Sequence, residues 1–199
     1  LGVEVLRGSA RIVSPWAVEI AGADGVRTLT TRAIVIATGA RPFVPPIPGL
    51  AEAGYLTSDT VWDLGACPRR LLVLGGGPIG CELAQAFARL GAQVTQVEML
   101  DRLLAREDPD VSAHLAAVFA REGIAVRTGH KALRCEREAD GGRVLVAERA
   151  GAEVRLGFDA ILVALGRAPD TGGLGLDALG IGLTPARTIE SDAYLQTRF

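Results

Sequence analysis

Residues 71–98 read LLVLGGGPIGCELAQAFARLGAQVTQVE, and two kinds of group in that stretch could do chemistry. The first is a set of bare backbone amides. Gly75, Gly77 and Gly80 fit the spacing G-x-G-x-x-G. There the first glycine allows a tight turn, the second lets backbone approach a diphosphate, and the third lets a helix pack closely on a strand. Gly76, Pro78 and Ile79 complete the loop. The second group is a carboxylate. Glu98 falls about 20 residues after the glycines, where an acid accepts hydrogen bonds from an adenosine ribose, and Met99 stands beside it. Donors for a diphosphate and an acceptor for a ribose imply a dinucleotide site. The plainer alternatives are a glycine-rich turn in an ordinary α/β domain and a solvated acid at a strand end.

Such groups work only if regular elements hold them. Residues 71–74 are an unbroken apolar run, which suits a parallel strand buried on both faces. Ile79, Leu83, Phe87 and Leu90 recur at helical spacing, and Gly91 stands where a capping glycine belongs. Val94, Thr95 and Val97 then predict a second strand ending on Glu98. Strand, glycines, helix, strand and acid in register make the motif specific.

Bulk properties narrow the classes. A chain of 199 residues can bury a core as one large domain or two small ones. The net charge of −2 provides no basic field for nucleic acid or an anionic membrane. No apolar run reaches the length of a membrane span, and the chain opens on Leu1 in strand-like sequence, as expected of a piece of something longer. Cys67, Cys81 and Cys135 form no C-x-x-C pair, which points to a reducing, cytoplasmic compartment and away from disulfides or a metal site. Cys81, in the first turn of the glycine-loop helix, is expected to pack rather than react. His114 and His130 have no ligand partners at metal spacing and read as structural or solvated.

Residues 3–36 look all-β, with short runs at 3–6, 11–13, 16–20 and 26–30 and a hairpin signal at Asp24-Gly25. Residues 33–42, AIVIATGARP, read as a buried strand running into a glycine, followed by a proline-rich connector. Residues 57–64 suggest a helical turn or two capped by Ser58. Asp108-Pro109 starts a second helix striped by Val111, Leu115, Val118 and Phe119 and closed by Gly123. Residues 124–127 are a third strand, and 132–158 turn β again. Residues 160–169, AILVALGRAP, repeat the pattern of 33–42.

The glycine motif with Glu82 two residues on, Ala37-Thr38-Gly39 and Gly166-Arg167-Ala168-Pro169 together resemble the class I pyridine nucleotide–disulfide oxidoreductases, including dihydrolipoamide dehydrogenase, glutathione reductase and mercuric reductase. The resemblance covers essentially the whole chain. It implies an α/β, Rossmann-like FAD/NAD(P)-binding fold of three layers, with a parallel sheet and a β-meander. It implies residues 1–42 as part of a discontinuous FAD-binding domain, 43–66 as connector, 67–186 as the NAD(P)-binding domain, and 187–199 as the return into the FAD domain. The remaining flavin contacts, the redox-active cysteine pair and the dimer domain are expected outside these residues.

By the same resemblance, Glu82 approaches the nicotinamide beside the flavin, and its alternative is a helix-end acid stabilised by the dipole. Thr38, Gly39 and Gly166 let backbone approach a cofactor or simply make turns. Arg41 and Arg167 are either nucleotide neighbours or surface charges. Pro78 stands where many members carry a gating aromatic residue, and Asp170 replaces their usual Asn. Arg102 is the nearest cation in sequence to Glu98, whose neighbour Met99 offers none, so NAD(H) is expected over NADP(H). The implied function is hydride transfer from NADH to FAD, then on to a disulfide, a metal ion or another acceptor, in a full-length homodimer with no nucleic-acid or membrane partner. These residues alone are expected to bind NAD(H) weakly and to hold no FAD. The rivals are another flavin reductase or monooxygenase branch and a non-catalytic NAD(H)-binding module.

Overall fold

The computed structural model describes residues 2–199, which fall into two units: Leu1–Arg41 with Ala168–Phe199, and Pro42–Arg167. The first unit opens with an antiparallel sheet of β1 (Ser9–Ser14), β2 (Ala17–Gly22) and β3 (Gly25–Thr30), in that spatial order. The hairpin signalled by Asp24-Gly25 forms, with Ala23 and Asp24 spanning it between paired Gly22 and Gly25. The core here is small. Ile12, Leu176 and Ile181 are buried, Ile34 and Ile36 pack against them, and the Ile12 N–H donates to Leu174 O at 2.8 Å.

Two expectations fail in this unit. Residues 3–6 form no strand, and Val3 and Val5 stand exposed. Residues 33–42 are not one buried strand: only β4 (Ala40–Pro42) lies in a sheet, and Val35 is 88% exposed. A strand needs a neighbour to take its backbone N–H and C=O groups, and no described strand runs beside residues 33–39. Residues 168–186, read from the sequence with the central domain, group here with the first unit. Leu174, Leu176 and Ile181 go with Ile12 because they complete its core.

In the second unit, the connector of residues 43–66 packs on its neighbours. Leu50 and Ala53 of α1 (Leu50–Ala53) are buried against the central sheet. This helix is too short to show a period in sequence. It is launched by Gly49 at φ 75°, where a Cβ would strike Cys135 O. Residues 57–64 give a turn and a single 3-10 turn at Val61–Asp63; Thr60 rather than Ser58 precedes it, its Oγ1 accepting the Thr57 N–H.

The central sheet contains β5 (Arg70–Leu74), β6 (Gln93–Val97) and β7 (Ala125–Arg127), with α2 (Pro78–Arg89) and α3 (Pro109–Arg121) as the crossovers between them. An antiparallel meander follows: β8 (Lys131–Arg137), β9 (Arg143–Arg149) and β10 (Ala152–Phe158). Then β11 (Ala160–Val163) joins β5 in parallel, giving the order β11-β5-β6-β7, and β12 (Arg167–Pro169) pairs with β4.

Alternation along β5 sorts the layers. Leu71 and Val73 pack with Leu83 and Ala84 of α2 and Phe119 of α3. Leu72 and Leu74 pack with Leu50, with Leu145 of β9 and with Phe158 of β10. Helices, parallel sheet and meander therefore make the three layers expected. Asp159 ties the start of β5 to β11: it accepts from the Arg70 N–H at 3.0 Å and from the guanidinium, which holds its carboxyl below the usual range. A carboxylate depressed on folding stabilises above its unfolded pKa, and this tie is lost as pH falls through the folded value.

Two members of the expected helical stripes are exposed instead. Leu90 is 69% exposed because it is the capping residue of α2, and the buried line runs instead through Gly80, Cys81, Leu83 and Ala84. Val111 is exposed on α3, where Ser112 is buried and donates to Leu104 O. Phe119, wholly buried between α3 and the sheet, is the largest fully buried side chain of that layer. Phe119→Ala is expected to cost about 3–5 kcal/mol, read as a lowered urea midpoint without a changed slope.

Candidate functional site

The carboxyl ends of β5, β6 and β11 open on a cleft of about 790 Å³ within Pro42–Arg167, in the size range of small-molecule sites. The edge of a parallel sheet where chains turn away is where such folds bind ligands. Gly75, Gly76, Gly77, Pro78, Ile79, Glu98, Met99 and Gly166 all line it.

Each glycine of the loop does a separate job. Gly75 sits at φ 119°, and its N–H donates to Val97 O at 2.8 Å; a Cβ there would strike Ala164 O. Gly80 lies so close beneath the loop that a Cβ would strike Gly75 O, so the third glycine is a packing residue and is not on the cleft wall. Gly77 has nothing within 4 Å of its would-be Cβ, leaving open space for a ligand. The first bond into α2 runs from the Cys81 N–H to Gly77 O at 3.0 Å. Ile79 and Gly80 therefore have no helical acceptor for their N–H groups, Pro78 brings none, and the dipole's positive end faces the cleft edge.

Glu98 has a task its spacing did not reveal. Oε2 accepts the Gly76 N–H at 2.6 Å, and Oε1 accepts the Leu100 N–H at 2.7 Å. A carboxylate has about four acceptor positions, so both oxygens keep capacity for ribose hydroxyls. The residues after Glu98 fold back as a strap: the Leu104 N–H donates to Gly76 O at 2.8 Å, and buried Leu103 lies under Gly76.

The cations at the cleft are Arg106 and Lys131. Arg102, singled out by sequence proximity, is not on the wall, and its Nη2 donates to Ala105 O at 2.8 Å. Lys131 arrives from β8, and nothing local in the sequence signals that. His130 lines the cleft but is buried, with Nδ1 at 2.7 Å from Thr128 O, which fits a structural role; His114 is exposed on α3.

Glu82 is exposed on α2, just beyond its first turn, and does not line the cleft. Thr38 and Gly39 belong to the other unit, where the Thr38 hydroxyl donates to Asp170 O at 2.6 Å and the Asp170 N–H donates to Gly39 O at 3.1 Å. Asp170 makes both contacts with its backbone, so having Asp in place of Asn leaves them unchanged. Arg41 is exposed; Arg167 reaches Ser58 Oγ at 3.1 Å and Asp59 at 3.3 Å. Among the described residues no cluster of three His, Cys, Asp or Glu could hold a metal ion, and no helix is long and apolar enough to cross a membrane.

The chain matches the family model described as pyridine nucleotide-disulphide oxidoreductase over residues 2–199. It is 37% identical to the dihydrolipoyl dehydrogenase of Thermus scotoductus, across 98% of this chain and 42% of that protein. It is 42% identical to the mercuric reductase of Shigella flexneri, across 98% of this chain and 34% of that protein. Among solved structures it is similar to the HOCl-induced flavoprotein disulfide reductase RclA from Escherichia coli, with a TM-score of 0.83 at 30% identity, covering 98% of this chain and 43% of that one. The chain thus spans less than half the length of these relatives.

The three thiols differ in a way that reports on the loop. Cys67 is exposed, whereas Cys81 and Cys135 are buried, and burial pushes both buried thiols up. Cys81 sits under the loop, its Sγ–H donating to Gly76 O at 3.4 Å. Since the thiolate is the reactive form, one equivalent is expected to react rapidly with a disulfide reagent near pH 8, and two more only on denaturation. Fast reaction located to Cys81 by peptide mapping would show the loop opening.

Proposed function

This chain belongs to the pyridine nucleotide-disulphide oxidoreductase family, and from that premise we propose that Pro42–Arg167 is its NAD(H)-binding unit, with Leu1–Arg41 and Ala168–Phe199 forming part of the flavin-binding unit. The observation that carries this reading is the cleft edge, where unpaired loop and helix donors, open space at Gly77 and the Glu98 carboxylate stand together. When bound, the nicotinamide supplies hydride and FAD receives it, in a reaction that ends on a disulfide, a metal ion or another acceptor.

The chain's own residues bind and orient. The Gly77 and Ile79 N–H groups and the end of α2 hold the diphosphate, with Gly80 packed beneath the loop. Glu98 accepts from the adenosine ribose, while Met99 and Gly166 border the cleft. Glu82, exposed on α2 just beyond its first turn, is the group assigned to the nicotinamide end, and Thr38 and Gly39 are assigned to the flavin side. The exposed Val35 edge in the first unit fits cover by flavin-unit residues of a longer chain. Lone free thiols fit a reducing, cytoplasmic setting.

Cofactor choice tests the cleft. A charge-assisted hydrogen bond to Glu98 is worth about 1.5–3 kcal/mol, and the same carboxylate repels a 2′-phosphate. NADH is expected to bind at least about tenfold more tightly than NADPH in parallel titrations. Equal or tighter NADPH would show that Arg106 and Lys131 outweigh Glu98.

Glu82 tests the other end. In the flavin-loaded full-length protein, Glu82→Gln is expected to slow stopped-flow flavin reduction by NADH while leaving ADP-ribose affinity unchanged. Reduction at the wild-type rate would make Glu82 a helix-end charge only.

A further inference from the structure

The side-chain amide of Gln96 has no role in the reading above, yet it acts on the phosphate loop directly. Gln96 is wholly buried on β6, on the face that Val94 turns towards α2. Its Nε2 donates to Gly75 O at 2.9 Å and lies 3.5 Å from Cys81 Sγ. Chemistry fixes the orientation of the amide, because turning it over would set its oxygen against the Gly75 carbonyl oxygen. In this orientation Oε1 is left buried without a hydrogen-bond partner. An unpaired buried acceptor destabilises a fold, and an apolar side chain of the same size would avoid it. Stability alone therefore does not account for an amide here.

The peptide it touches does. The Gly75 carbonyl and the Gly76 N–H belong to one planar peptide unit. Gln96 holds the carbonyl, and Glu98, two residues further along the chain and just past the end of β6, holds the N–H. Two side chains from one face of β6 thus grip both ends of a single plane, in a segment whose glycines would otherwise rotate freely. Once ribose hydroxyls share the Glu98 carboxylate, the Gln96 bond remains to stop that plane from turning. We infer that Gln96 is a positioning residue for the diphosphate, holding the Gly75–Gly76 peptide so that the following N–H groups face the cleft as a set. The inference rests on the dinucleotide reading of the same site.

Gln96→Met removes the donor at nearly constant length, and Gln96→Leu does so with a second shape. Both are compared with wild type by calorimetric titration with NADH, by competition with adenosine, which carries no phosphate, and by thermal melting. The loss of one net hydrogen bond predicts a three- to tenfold weaker NADH affinity, with adenosine affinity within about twofold. Losing the orphaned Oε1 offsets freeing Gly75 O, so melting temperatures are expected within about 3 °C of wild type. NADH affinity unchanged in both variants overturns the inference and leaves the dinucleotide reading standing. Equal weakening of NADH and adenosine with a depressed melting temperature also overturns it, since Gln96 would then be a packing residue only. Wild-type protein that takes up no NADH overturns the dinucleotide reading and this inference with it.

Discussion

Where β5 stops, the backbone must change direction without leaving its polar groups unpaired, and the end of β6 meets that demand. The Gly75 N–H goes to Val97 O, the Gly75 carbonyl to Gln96, and the Gly76 N–H to Glu98. Three consecutive residues at the end of β6 and just past it thus shape the turn that follows its neighbour. The arrangement depends on the parallel register that sets Leu74 opposite Val97. A slip of one residue would send Gln96 and Glu98 to the opposite face. Packing of the sheet and competence of the site are therefore one constraint, and the small residues of α2 belong to it. Gly80 lets the helix reach the turn, and Cys81 adds a buried donor to Gly76 O.

What could be read from the sequence was periodic. The strand–loop–helix–strand unit shows in its apolar spacing, and the three layers follow from β5 being apolar at every position after Arg70, since a strand covered on both faces has no polar side. The repeat shows how far such reading goes. Residues 33–36 and 160–163 are near copies, AIVI and AILV, yet only the second is a strand. It lies against β5, which takes its backbone groups, whereas no described strand accompanies the first. Composition supplies a tendency, and the neighbour decides.

The site was legible in part for the same reason. Spacing located the glycines and Glu98, because the motif is local and each member has a mechanical duty. It could not disclose that Glu98 clamps Gly76, that Gln96 reaches Gly75, or that Arg106 and Lys131 reach the cleft, since those relations arise only when separate segments fold together. Proximity along the chain misled in the case of Arg102, whose guanidinium turns to the carbonyl of Ala105 within its own strap. Helix α1, at four residues, is set by Gly49 and by burial of Leu50 rather than by any period.

The central unit also begins and ends at one place. The Phe43 N–H donates to Gly166 O at 2.9 Å, so the first and last turns of Pro42–Arg167 are hydrogen-bonded neighbours. A folded unit whose ends meet can be spliced into a host loop without forcing that loop apart. In genetic terms it is a cassette. Joining its ends by a few residues and opening it at an exposed turn such as Gly141-Gly142 would give a circular permutant with the same sheet order, and the glycine turn and β6 would still lie on one uninterrupted stretch of chain.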